Sequence, residues 1–235
     1  MSRMKDIYLN FTGKIKRSLR GRGFLKSLIM VLNRYYLRVK YRKFDFLVQV
    51  EPDQLEGSIE VRKHASKYEA SNYRFFKKLF ENLDWPYANS TFIDFGCGKG
   101  ATLFYATEMG FKKIIGVEFS PQLAAIATAN MQKIFSAKGV KFDVEIVNTD
   151  AAAYRVPSDA DCFYFFNPFD AVILDKVIQN IHASLEIKMR RILIVYLNAI
   201  HDQVITNYGF RKIKHIPKSE LDIYYDGAAF VYSNY

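Results

Sequence analysis

A short apolar stretch, Thr91-Phe92-Ile93, runs straight into Asp94-Phe95-Gly96-Cys97-Gly98-Lys99-Gly100, an acid followed by three glycines at alternate positions. Glycine lets a backbone turn sharply and lets a ligand approach the main chain, so this loop is a candidate binding element. A dinucleotide loop spaces its glycines G-x-G-x-x-G and rests a pyrophosphate on a helix amino terminus. Here the spacing is G-x-G-x-G, and Asp94 stands two residues before the first glycine. A carboxylate at that point repels a pyrophosphate and pairs with an ammonium. The loop therefore favours a ligand with an amino-acid end and no phosphate. NAD, and with it an NAD-dependent oxidoreductase, is the disfavoured alternative.

Three further positions extend the pattern. Glu118 closes a second apolar run, 24 residues after Asp94. In doubly wound folds an acid about 20 residues after the glycine loop accepts hydrogen bonds from ribose hydroxyls. Phe119 is placed to cover one face of an adenine. Asp150 follows a third run and is placed to meet the adenine amino group, with Ala151 offering a backbone N–H. Capping a helical turn over residues 151–154 is the competing role for Asp150. S-adenosylmethionine combines ammonium, ribose and adenine without a phosphate, and these spacings favour it as cofactor. Asn167-Pro168-Phe169 ends a fourth run and forms a candidate catalytic corner, with a plain strand-to-helix turn as its competing reading. Tyr68 and Tyr73 precede the loop and suit either a lid over the cofactor or the core. The four histidines, His64, His182, His201 and His215, are expected outside the strand ends that form the site, which leaves no general base. Neither Cys97 nor Cys162 sits in a metal-like cluster, so no metal is expected.

The elements that position these residues alternate between strand and helix. Residues 60–83 carry Tyr73, Phe76, Leu79, Phe80 and Leu83 at helical spacing, which predicts one helix, ended by Trp85-Pro86-Tyr87. Strands are expected over residues 91–95, 113–117, 140–147, 162–166 and 191–196, and helices over 101–109, 121–138 and 170–184. Ser120-Pro121 supplies a cap and a first-turn proline for the second of those helices. Continuous apolar runs of this kind suit parallel strands covered on both faces. Residues 208–235 hold two aromatic strand candidates around Asp226-Gly227 with no room for a crossover helix, which predicts an antiparallel pair at one sheet edge.

Charge divides the chain in two. Residues 1–45 hold thirteen Lys/Arg against two acids, net +11, whereas residues 46–235 hold twenty-one against twenty-two, net −1. The first segment reads as a basic amphipathic helical arm around Leu28-Ile29-Met30-Val31-Leu32, the second as one α/β domain. Basic residues flanking an apolar face suit an anionic membrane surface, with nucleic acid the weaker reading and packing on the body or a second subunit the plain one. No apolar run approaches the roughly 18–20 residues that a membrane-crossing helix needs, nor the core of a signal peptide. A cytoplasmic protein, peripheral at the inner membrane surface through its arm, is expected.

Asp94 to Gly100, Val117-Glu118-Phe119-Ser120, Thr149-Asp150-Ala151 and Asn167-Pro168-Phe169 together resemble the ordered motifs of class I S-adenosylmethionine-dependent methyltransferases. More closely, the loop with Gly116-Val117-Glu118-Phe119-Ser120 and Phe165-Phe166-Asn167-Pro168-Phe169-Asp170 is similar to an uncharacterised bacterial family of such enzymes. The resemblance implies a Rossmann-like, doubly wound and mostly parallel sheet of strand order 3-2-1-4-5-7-6 with an antiparallel C-terminal hairpin. It implies that Asp94, Gly96 and Gly98 hold the amino-acid end, Glu118 the ribose and Asp150 the adenine. In amine-methylating relatives the corner reads Asn/Asp-Pro-Pro-aromatic, and the Asn carboxamide and a proline carbonyl aim the amine. Here Phe169 replaces the second proline, so the acceptor atom stays open between nitrogen and oxygen. A non-catalytic cofactor-binding module working through its arm is the alternative.

Overall fold

The chain is described by a computed structural model over residues 46, 50, 59–66, 68, 70–221 and 225–235. The basic arm, residues 1–45, lies outside the described residues.

Seven strands form one sheet: β1 Thr91–Phe95, β2 Lys113–Glu118, β3 Val144–Asn148, β4 Cys162–Phe166, β5 Leu193–Leu197, β6 Arg211–Ile216 and β7 Ala229–Ser233. Their order is β3-β2-β1-β4-β5-β7-β6, the expected one. The first five are parallel, and β7 runs antiparallel between β5 and β6. Helices α1 Ile59–His64, α2 Tyr73–Phe80, α3 Ala101–Met109, α4 Pro121–Lys138, α5 Ala171–Ile187 and α6 Asp202–Asn207 complete the fold.

Strand alternation divides the core. Phe92, Cys162, Tyr164 and Val195 face Phe76, Leu79 and Tyr105 of α2 and α3 on one side. Ile93, Phe95, Phe163, Phe165 and Ile194 face Val177, Ile178 and Ile181 of α5 on the other. Every residue of β1 and β5 is buried, which is why these segments read as unbroken apolar runs rather than alternating ones. Ser120 Oγ accepts from the Leu123 N–H at the start of α4, and Pro121 occupies its first turn, as expected.

Two local expectations are corrected. The helix anticipated over residues 60–83 is two helices, and the chain between them is pulled out of helical form by tertiary pairing. Ala65 forms an antiparallel bridge with Phe169, Ser66 N–H donates to the Pro168 carbonyl at 2.9 Å, and Tyr68 bridges to Val50. Asn72 then caps α2 by accepting from the Arg74 N–H. The third strand begins at Val144 rather than at residue 140, because Gly139 ends α4 in a left-handed conformation and the chain runs on before it joins the sheet. At the C-terminus, Asp226-Gly227 lies just before β7 rather than midway between the strands. Gly227 N–H donates there to Asn198 Oδ1 at 2.7 Å.

Candidate active site at the strand ends

The carboxyl ends of β1, β2 and β4 open into one cavity, the topological switch point where open α/β sheets bind ligands. Its volume is about 850 Å³ with the open mouth included. Asp94, Glu118, Asp150, Pro168 and Phe169 line it, with Tyr68 and His64 from the preceding segment.

Asp94, next to last in β1, pairs with Gly116 and Tyr164 and is only 3% exposed. Thr102 in the first turn of α3 donates its hydroxyl to Asp94 Oδ2. Burial drives the carboxyl from 3.8 up to about 7; the Thr102 hydrogen bond opposes the rise and the nearby Glu118 charge adds to it. Glu118, at 4% exposure, accepts from two backbone amides: Gly98 N–H on Oε2 and Ser120 N–H on Oε1, both at 2.9 Å. Burial raises its pKa too, against those hydrogen bonds. The Asn148 side-chain amide donates to the Glu118 and Phe119 carbonyls at 2.8 and 3.0 Å, tying the ends of β2 and β3 together. Two buried carboxyls thus share one wall of the cavity.

The glycine loop is fixed by what lies over it. Gly96 has φ +79°, and a β-carbon there would stand 2.5 Å from Pro168 Cβ. At Gly98 a β-carbon would meet the Tyr68 ring at 2.1 Å, and the Tyr68 hydroxyl donates to the Phe46 carbonyl at 2.8 Å. The loop is therefore packed between Tyr68 and the corner after β4. Gly96 and Cys97 reach the cavity surface, whereas Gly98 does not and serves through its N–H to Glu118. Phe119 and Ala151 line the cavity as well. Asp150 does both things the sequence allows: it lines the cavity and caps a short 3-10 turn, Ala151–Ala153, by accepting from the Ala152 N–H at 2.9 Å. Tyr73 packs edge-on against Tyr105 at 5.0 Å and belongs to the core rather than to the cavity.

The corner Asn167-Pro168-Phe169 differs from its anticipated use. Asn167 has φ +42°, a left-handed conformation that Asn tolerates better than most residues. Its carboxamide oxygen accepts from the Tyr196 hydroxyl at 3.0 Å, and Asn167 is not among the cavity-lining residues. The Pro168 carbonyl accepts from Ser66 N–H. Both acceptors that were to aim an amine are engaged inside the protein, while Pro168 and Phe169 present apolar surface to the cavity.

The expectation that all four histidines stand apart is overturned for His64. It lines the cavity and its Nδ1 lies 2.6 Å from Asp170 Oδ2. The sequence gives little sign of this, since the partners are 106 residues apart and are brought together by backbone pairing of residues 64–66 with residues 168–170. Ser71, Thr102, Tyr164 and Phe166 were likewise missed as lining residues. Tyr164 was legible in principle, since strand alternation puts it on the Asp94 face. No group of three or more His, Cys, Asp or Glu among the described residues is arranged to hold a metal ion. No helix among them is long and apolar enough to cross a membrane.

Residues 86–208, just over half of the chain, match the family described as Methyltransferase domain. No curated protein matches the chain. Geranyl diphosphate methyltransferase, solved with GPP and sinefungin, superimposes with TM-score 0.51 at 11% identity over 70% of this chain and 78% of that one. A SAM-dependent methyltransferase from Aquifex aeolicus gives 0.48 at 12% identity, over 68% of this chain and 86% of that one. StiE O-MT residues 942–1257 give 0.47 at 18% identity over 61% of this chain, which spans only 52% of that length. At such identities the likeness speaks for the fold alone. The family match runs across the strands that carry Asp94, Glu118 and the β4 corner. The chain belongs to the methyltransferase domain family.

Proposed function

We propose that the chain transfers the methyl group of S-adenosylmethionine to a nitrogen or oxygen nucleophile of an acceptor held beside Pro168 and Phe169. The reading rests above all on Asp94, a buried carboxyl whose pKa burial raises to about 7. An ammonium brought to it would restore the ionised form, and the cofactor's amino-acid end carries one. Asp94, with the backbone at Gly96, binds that end, and Gly98 serves it indirectly by holding Glu118. Glu118 accepts from the ribose hydroxyls, Phe119 covers the adenine, and Asp150 with the Ala151 N–H takes its edge. Tyr68, packed on Gly98, closes the cavity over the loop.

When bound, the cofactor supplies a methyl carbon already activated by its sulfonium. The protein's share is to align the nucleophile with that carbon, which accounts for roughly 7–11 kcal/mol of barrier lowering. Phe166, Phe169 and Ile173 contribute by excluding water from the acceptor side. The charge of +11 on residues 1–45 favours an acceptor held at an anionic membrane surface, a lipid or glycan, with a protein lysine second and nucleic acid behind both.

Calorimetry tests the reading directly. S-adenosylmethionine and its demethylated product should each bind the full chain, and Asp94→Ala should weaken both at least tenfold. Heat from NAD alone, with none from either sulfur compound, would overturn it.

A further inference from the structure

The Asp170 carboxylate serves two elements at once. Its Oδ1 accepts from the Val172 and Ile173 amides at 3.0 and 3.2 Å and caps α5. Its Oδ2 faces His64 Nδ1 at 2.6 Å. Burial pushes the Asp170 carboxyl up, but the His64 hydrogen bond and the two amides outweigh it, and the pKa is lowered overall. A carboxylate only accepts, so His64 Nδ1 must be the donor. In the neutral imidazole this leaves the lone pair on Nε2. The imidazole is part of the cavity wall, 28% exposed at its side chain, and no hydrogen bond to Nε2 is seen among the described residues. The backbone holds the arrangement from both sides, with Asp170 N–H donating to the His64 carbonyl at 3.1 Å and Ala65 bridged to Phe169. The other titratable groups on the cavity wall are Tyr68, Tyr164, Asp94, Glu118, Asp150 and Cys97.

The neighbouring corner disfavours the competing chemistry. A neutral amine attacks through a free lone pair and needs acceptors to aim it rather than a base. The two acceptors at the corner, Asn167 Oδ1 and the Pro168 carbonyl, each already accept from inside the protein, from Tyr196 and Ser66, and Asn167 does not line the cavity. A hydroxyl is a poor nucleophile until its proton leaves, and an imidazole oriented by a carboxylate is a common way to take it. The same cavity wall carries the apolar residues Phe166, Pro168, Phe169 and Ile173.

Resting on the methyl-transfer reading above, we propose that His64 is the general base of the reaction, oriented by Asp170, and that the acceptor is a hydroxyl on an apolar molecule. As the hydroxyl oxygen attacks the methyl carbon, its O–H bond breaks and the proton passes to His64 Nε2. The new O–CH3 bond forms while the S–CH3 bond breaks, and the sulfonium becomes a thioether. The imidazolium then returns its proton to solvent through the mouth of the cavity. Asp170 is a positioning residue throughout.

The test uses the full chain with S-adenosylmethionine and matched probes sharing one apolar skeleton: phenol with aniline, benzyl alcohol with benzylamine, hexanol with hexylamine. Mass spectrometry reads the methylated product, and calorimetry reads cofactor affinity separately. At least one hydroxyl probe should be O-methylated and its amine twin left untouched. His64→Asn keeps a donor towards Asp170 and removes only the Nε2 base. It should lower kcat about 10²–10⁴-fold, with cofactor affinity within twofold. Its rate should climb again with rising pH as the ionised phenol replaces the base, a recovery that a merely structural role would not produce. Asp170→Asn should show a smaller loss in kcat with KM little changed. As a measurement independent of turnover, 4-nitrophenol added with the demethylated cofactor below its own pKa should show the phenolate absorption band, and His64→Asn should abolish it. Methyl on the amine twin, transfer to no hydroxyl probe, or a His64→Asn enzyme with wild-type kcat would each overturn the proposal. Absent cofactor binding by the wild-type chain would instead sink the methyl-transfer reading beneath it.

Discussion

Gly96 and Pro168 stand against each other, so that a β-carbon on the glycine would come within 2.5 Å of the proline's own Cβ. The cofactor loop after β1 and the acceptor corner after β4 are thus one packed unit. Neither can shift without the other.

Gly96→Ala tests that unit. An L side chain at φ +79° carries a conformational cost of about 1–2 kcal/mol, and forcing the proline aside adds about 1–3 kcal/mol. Thermal unfolding should begin several degrees lower, and cofactor affinity should fall with it. Gly139→Ala is the control: it too has positive φ, but an added β-carbon there meets nothing within 4 Å. It should show only the conformational part and leave cofactor affinity unchanged.

Asp94 makes stability and binding depend on pH in opposite senses. Its folded pKa, about 7, lies above the ordinary 3.8, so the folded chain holds a proton that the unfolded chain gives up earlier. The contribution is intact below about pH 4, erodes as pH rises, and is gone above about 7, on the order of 4 kcal/mol in all. Asp94→Asn should flatten this dependence and unfold at a higher temperature than wild type at alkaline pH. Cofactor binding needs the ionised carboxylate. Titration near pH 6 in buffers of different ionisation enthalpy should therefore reveal a proton released on binding, which disappears in Asp94→Asn.

Glu118→Gln separates charge from hydrogen bonding. The carboxylate accepts from Gly98 N–H and Ser120 N–H on different oxygens, but a glutamine offers one oxygen and one amino group. One buried amide must lose its acceptor and face a donor, costing about 1–3 kcal/mol. Denaturant unfolding should show that loss even without cofactor.

Removing residues 1–45 asks what the arm does. Phe46 stays in place in such a variant: it is buried, and its ring stacks on Phe104 at a centroid distance of 6.4 Å. The truncated enzyme should bind cofactor as before. It should lose salt-sensitive cosedimentation with vesicles of phosphatidylserine and phosphatidylcholine. Equal binding by both forms would rule out a membrane role for the arm.

What could be read from the sequence was whatever local pattern decides. The apolar runs of β1, β4 and β5, the Ser120-Pro121 start of α4 and the position of Glu118 at a strand end all follow from short-range spacing. What stayed hidden depends on long-range pairing. Nothing in the neighbourhood of His64 announces Asp170, and helical periodicity over residues 60–83 gave no sign that backbone bonds to Pro168 would draw the middle into an extended segment. Asn167 illustrates the same limit. Its type suited a substrate-facing amide, and only the folded chain reveals that Tyr196 already occupies it.

His64, Ala65, Ser66, Tyr68, Ala70 and Ser71 lie outside residues 86–208, the portion that matches the family, yet they line one side of the cavity. The protein is thus assembled like a bench with a detachable vice. The sheet and its loops are the bench, and a few residues stitched on by backbone bonds grip whatever is to be worked. If the cavity holds the acceptor as proposed, exchanging that strip should change which acceptor is taken while leaving the sheet untouched.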